Sequence, residues 1–180
     1  MTDQSWRGNS VCELLGCSVP VVLAGMGGVA RSELVSAVTA AGGFGFLGMV
    51  REPVALIERE VGRVRDAGHR AFGVNIIPAA TEPGLLARQL DAIIALEVPA
   101  VELFWDIDTH VIDRLRDAGI TVVYQVGAVG EAIAAQRAGA GEARGVRGQS
   151  AAGGDGRVQL LDGLERAGAV RGVADDEHAF

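Results

Sequence analysis

Short runs rich in β-branched residues alternate along this chain with segments whose apolar residues recur every three or four positions, and this alternation narrows the fold most. The runs fall at 19–23, 44–47, 71–74, 100–104 and 121–124. Most are apolar at successive positions rather than at every second one, as expected of strands covered on both faces. Between them, Leu34, Val38 and Ala41, then Val54, Ile57, Val61 and Val64, then Leu86, Leu90 and Ile93 keep helical spacing. Ser32 with Glu33 reads as a helix start, Pro53 and Pro83 suit first turns, and Gly42, Gly68 and Gly119 stand where helices close. The pattern predicts a parallel sheet with helices packed on it, an α/β fold of the (β/α) barrel type.

The count falls short of a closed barrel. A complete one has eight strands and about 250 residues, whereas this sequence has 180. The expectation is a partial TIM-barrel-like fold of about five to six parallel strands. Residues 1–140 read as the amino-terminal part of a barrel, and 141–180 as a divergent Gly/Ala/Arg-rich tail with less order. Where a sixth strand is due, Gly141-Glu142-Ala143-Arg144-Gly145-Val146-Arg147-Gly148 carries charges and glycines, and a helical pattern resumes only across 158–167.

Composition excludes several classes of function. With 49% hydrophobic and 22% charged residues the chain can bury one sizeable core, and a net charge of −7 opposes binding to a phosphate backbone. No stretch is apolar enough to span a bilayer and the first ten residues are polar, so a cytoplasmic protein without nucleic-acid or membrane partners is expected. All 16 basic residues are arginine, which removes lysine Schiff-base chemistry. Cys12 and Cys17 have no further ligands spaced for zinc and read as reduced structural thiols. No metal site is expected.

Ligands of parallel α/β sheets bind at the carboxyl ends of the strands. There the first run leads into Ala24-Gly25-Met26-Gly27-Gly28, the third into Asn75, the fourth into Trp105-Asp106 and the fifth into Gln125-Val126-Gly127. Glycines let a backbone approach a flat or anionic ligand closely, with N–H groups exposed to it. Asn75 and Gln125 each offer a donor and an acceptor suited to the edge of a planar heterocycle, and Met26 can pack on its face. Taken singly, each residue is better explained by packing and by satisfying neighbouring backbone. Together at one rim they favour a ligand. Asp106, Asp108 and His110 follow the fourth strand in a spacing that could hold a metal, but a capped, solvated helix start explains them better.

These segments resemble the nitronate monooxygenase family, also called 2-nitropropane dioxygenases. The likeness is carried by residues 20–47 with the turn at 24–28 and Ala40-Ala41-Gly42-Gly43-Phe44-Gly45-Phe46-Leu47, then by Phe72-Gly73-Val74-Asn75-Ile76, Leu103-Phe104-Trp105-Asp106 and Gln125-Val126-Gly127-Ala128-Val129. It covers about residues 18–140. The resemblance implies an FMN-dependent barrel oxidoreductase, a flavoprotein monooxygenase that oxidises alkyl nitronates with molecular oxygen. It implies cofactor contacts from Ala24, Gly25, Met26, Gly27, Asn75, Gln125, Gly153 and Gly154.

Further along, this sequence departs from the family. The family runs on through a strand ending in glutamine, a glutamate and a Gly-Gly-His that supplies the usual base. Here Gly153-Gly154 is followed by Asp155, the glutamate position falls on Ala151, and the glutamine falls on Gly148 with Gln149 one place out of step. A solvated carboxylate is a poorly matched base at neutral pH, so no catalytic residue is assigned. The loops after strands seven and eight, which hold phosphate in such barrels, have no counterpart in the count, and weakened FMN binding is expected. Three alternatives therefore stand beside the first: a related FMN-dependent enoyl reductase, an inactive truncated barrel fragment that self-associates through its open edge, and a frame-altered continuation after about Ala140.

Overall fold

A computed structural model of the chain describes residues 10–141. Five strands, β1 (Val22–Leu23), β2 (Phe44–Gly48), β3 (Phe72–Ile76), β4 (Ala100–Phe104) and β5 (Thr121–Gln125), pair in parallel in the order of the sequence. The helices are α1 (Ser10–Leu15) before β1, then α2 (Ser32–Ala40), α3 (Val54–Asp66), α4 (Pro83–Ala95) and α5 (Thr109–Asp117) between strands, and α6 (Val129–Arg137) after β5. A parallel sheet in simple sequence order is singly wound, because crossovers of one hand place successive helices on one face. The result is a curled half-barrel, as the strand count predicts.

Register separates the two faces. Leu47, Val74, Val101 and Val122 point outward and pack with Val35, Ile57, Val61, Ile93, Ile112 and Leu115 of the helices. The inward face carries Phe44, Phe46 and Ala100, joined by Leu15 of α1. Phe44 and Phe46 meet edge to face with centroids 5.0 Å apart. Room for the Phe46 ring comes from Gly73 on the neighbouring strand: a Cβ there would lie 2.3 Å from the ring. Cys12 and Cys17 are free thiols.

The element boundaries show what local sequence misses. The first strand is expected over 19–23 but pairs only at Val22 and Leu23. Pro20 has no N–H to extend the ladder, and the amides of Ser18 and Val19 both donate to the Gly42 carbonyl instead. Ser32 does not cap α2; Arg31 occupies the cap position, and Ser32 is the first helical residue. Its N–H donates to the Glu60 carboxylate of α3 at 2.9 Å, so a neighbouring helix supplies the missing cap. Pro53 stands just before the first turn of α3, whereas Pro83 opens α4. Gly42, Gly68 and Gly119 close their helices at φ of 91°, 88° and 81°, the left-handed conformation in which glycine costs least.

The Gly73–Phe46 contact makes a direct test. Gly73→Ala should destabilise the fold by about 1–3 kcal/mol through overpacking. In a Phe46→Ala background the same change should cost less, because the ring is gone and only the Ala100 carbonyl oxygen, 2.8 Å from the added Cβ, still opposes it. Urea unfolding of the four proteins in the cycle measures the coupling.

Candidate flavin site

The rim at the carboxyl ends of the strands is organised around the first glycine turn. Gly48, at the end of β2, lets the turn pass directly over it: a Cβ at 48 would lie 2.2 Å from the Met26 carbonyl oxygen. That carbonyl accepts from the amides of Val29 and Ala30, and the Ala30 carbonyl accepts from Gly48 N. Gly25 is as tightly placed, since a Cβ there would come within 2.0 Å of Asn75 Cβ. Gly27 differs from both. Its missing Cβ would meet nothing within 4 Å, and the Met26 side chain beside it is exposed.

Asn75, Glu102 and Gln125 all stand on the inward face. Asn75 is in register with Gly48 on one side and Glu102 on the other, and Gln125 lies opposite Phe104, two residues beyond Glu102. Asn75 is buried, and its Nδ2 donates to the Glu102 carbonyl at 3.3 Å. One of its two N–H donors is thereby spent on backbone. Glu102 is 8% exposed, and its Oε2 accepts from Gly25 N at 3.2 Å. Glu102 is a residue that motif reasoning passed over. Its signal was available, because it is the single charged residue in the run at 100–104.

Burial pushes the Glu102 carboxyl above its ordinary range, and the Gly25 N–H opposes that only in part. The Gly25 amide is directed at the Glu102 carboxyl. The open part of the turn is Met26 and Gly27. Gly25, Asn75 and Glu102 form the support beneath it.

Side chains from the outer layer hold the rim loops. Arg31 donates to the Gly48 carbonyl at 3.0 Å and pairs with Glu52 at 2.5 Å, tying the start of α2 to the loop after β2. Gln89 of α4 is buried and donates to the carbonyls of Met49 and Glu52 at 3.1 and 2.7 Å. Tyr124 donates to the Asp106 carbonyl at 2.6 Å and accepts from Asp108 N at 3.3 Å, which pins the loop after β4.

That pinned loop begins with Trp105, held at φ 67° and 63% exposed. A bulky residue in the left-handed region costs about 1–3 kcal/mol, and such residues concentrate at functional sites. Trp105, Ile107, Gln125, Val126 and Glu131 are among the residues lining a cleft of about 620 Å³. Glu131 is engaged there, accepting from Gly127 N at 2.7 Å. Asp108 caps α5 by accepting from Val111 N, which gives the acidic series before His110 a structural role. Among the described residues no cluster of acids, histidines or thiols is arranged to hold a metal.

The rim offers backbone, the exposed Gln125 amide, an exposed thioether and a close-approach glycine. That donor set suits a planar, largely neutral heterocycle. Gly153, Gly154 and Asp155, with the expected tail and helical pattern around them, lie outside the described residues.

The Glu102 environment sets a pH dependence with a definite sign. A carboxyl whose folded-state affinity for protons exceeds its unfolded one stabilises the fold fully below about pH 4.3, and that contribution declines as pH rises through the folded value. Between about pH 5 and about pH 8 the thermal midpoint of the wild type should fall more than that of Glu102→Gln, whose side chain does not titrate. Parallel melting curves measure the difference.

Comparison with known proteins places this architecture. Residues 9–88 match the family model described as nitronate monooxygenase. A Mycobacterium tuberculosis protein named (3aS,4S,5R,7aS)-5-hydroxy-7a-methyl-1-oxo-octahydro-1H-indene-4-carboxyl-CoA dehydrogenase is 33% identical over 116 residues, covering 64% of this chain and 32% of that protein. A probable nitronate monooxygenase of Staphylococcus aureus is 27% identical over 167 residues, covering 74% of this chain and 47% of its own length. Among solved structures, FabK from Thermotoga maritima superposes with a TM-score of 0.67 at 28% identity, over 72% of this chain and 41% of that one. The chain thus spans less than half the length of each of these relatives. Over that span, with its half-barrel and glycine-turn rim, it is similar to the nitronate monooxygenase family.

Proposed function

We propose that this chain provides the FMN-binding half-barrel of a flavin-dependent oxidoreductase that oxidises alkyl nitronates with molecular oxygen. The observation that carries this reading is the inward-facing support of Gly25, Asn75 and Glu102 beneath an open Met26–Gly27 edge. FMN, when bound, supplies the electron-accepting chemistry that the protein side chains lack. In this reading Met26 packs on the ring, Gly27 lets backbone approach it closely, and Gln125 presents its amide to the ring edge. Trp105, Ile107 and Val126 then form the apolar wall of the substrate cleft and exclude water from it. Asp108 and Glu131 are engaged at helix starts and are not assigned as the base.

The purified full-length chain should quench FMN fluorescence on titration. The bound complex should consume oxygen with the anion of a nitroalkane, leaving carbonyl product and nitrite. Turnover of an enoyl or acyl thioester with a nicotinamide cofactor, and none of the nitronate, would replace nitronate oxidation with a thioester reaction. A colourless oligomer that takes up no FMN would overturn the flavin reading and favour a non-catalytic, self-associating role.

Trp105→Gly separates substrate contact from folding. Glycine relieves the strained backbone, so stability should stay within about 1 kcal/mol of wild type. With the aromatic wall removed, KM for the nitronate should rise about three- to tenfold, as expected for a lost apolar contact. Thermal melts and steady-state oxygen consumption give the two readouts.

A further inference from the structure

Glu102 is costly where it stands, and no pairing explains it. It lies inside the curled sheet with Asn75 beside it on β3 and Val123 opposite it on β5. Ala100 and Phe104 are its inward neighbours along its own strand. No charged side chain among the described residues contributes to its environment; burial and the Gly25 N–H are the two influences on it. Contrast Glu60, which is as well buried but receives Ser32 N–H, Arg59 and Arg63. A glutamine at 102 would offer Gly25 the same acceptor without the desolvation cost of a carboxylate. A titrating group here therefore calls for a role beyond packing.

We propose that Glu102 is a positioning residue of the flavin site: by holding the Gly25 N–H it presents Met26 and Gly27 outward to the ring, and ring binding favours its protonated form. This rests on the reading that the rim binds FMN. The geometric basis is the bond from Gly25 to Glu102, which joins residues 77 apart in sequence at 3.2 Å. It fixes the buried end of a turn whose other end is open. Covering the rim with a flat ring removes the remaining water from a carboxyl that is already 8% exposed, and that favours the neutral acid. Linkage then requires the converse: ionising Glu102 weakens the ring's hold.

The test follows the Gly25 amide by NMR in the full-length 15N-labelled chain across pH, with and without FMN, in wild type and Glu102→Gln. In the wild type the Gly25 resonance should titrate with a single midpoint above the ordinary glutamate value of about 4.3. Saturating FMN should move that midpoint upward. FMN affinity, measured separately by fluorescence, should fall at least about fivefold as pH rises through it. Glu102→Gln should show neither the Gly25 titration nor the pH dependence of FMN affinity.

A Gly25 amide that does not titrate, or titrates equally in the variant, overturns the proposal without reference to flavin. So does a midpoint that FMN leaves unmoved, the result for a purely structural carboxyl. If the wild type takes up no FMN while Gly25 titrates, the flavin reading fails and the positioning role falls with it. The wild-type titration alone decides the first point should the variant fail to fold.

Discussion

The inside of the curled sheet leaves little space, and the rim depends on how that space is shared. Strands that are not neighbours in the sheet approach one another there, so the loop after β1 reaches the carboxyl of β4 directly. Three glycines make the arrangement possible. Gly73 admits the Phe46 ring, Gly48 admits the backbone of the turn, and Gly25 admits Asn75. At each, the clash a methyl group would create is with a group that belongs to the site or to its floor.

Two buried glutamates show how the same side chain serves different ends. For Glu60, burial alone would raise the carboxyl, but the Ser32 amide and hydroxyl with Arg59 and Arg63 outweigh it and hold it below its ordinary range. It sits at the amino end of α2, where a negative charge also complements the helix dipole. Glu60 is thus a cap lent by one helix to another. Glu102 faces the inward surface with a single backbone donor, and burial wins. The partners, not the residue type, decide which carboxyl is held charged and which is held ready to take a proton.

Much of the framework was legible in sequence because it depends on local periodicity and local turn chemistry. The five strands, the intervening helices and the glycine stops follow from apolar spacing and from positions that need φ above zero. The first strand was read too long because pairing at a sheet edge depends on the partner, and Pro20 breaks the ladder there. Glu102 was passed over because a lone acid in an apolar run has no motif. Its meaning comes from a contact with Gly25 far away in the chain. Trp105 was placed at the rim correctly, but its left-handed backbone has no local signature.

By itself, the sequence determined the class of fold, the order of its elements and which end of the strands carries the glycine and amide residues. Those properties follow from short continuous apolar runs, from a helical period near four and from the conformations that glycine and proline permit. Only the tertiary structure decided that Gly25 turns its amide inward to Glu102 while Met26 and Gly27 stay open. The reason is geometric: curling brings together the inward faces of strands that are distant in sequence, and a hydrogen bond between them cannot be read from the neighbours of either residue.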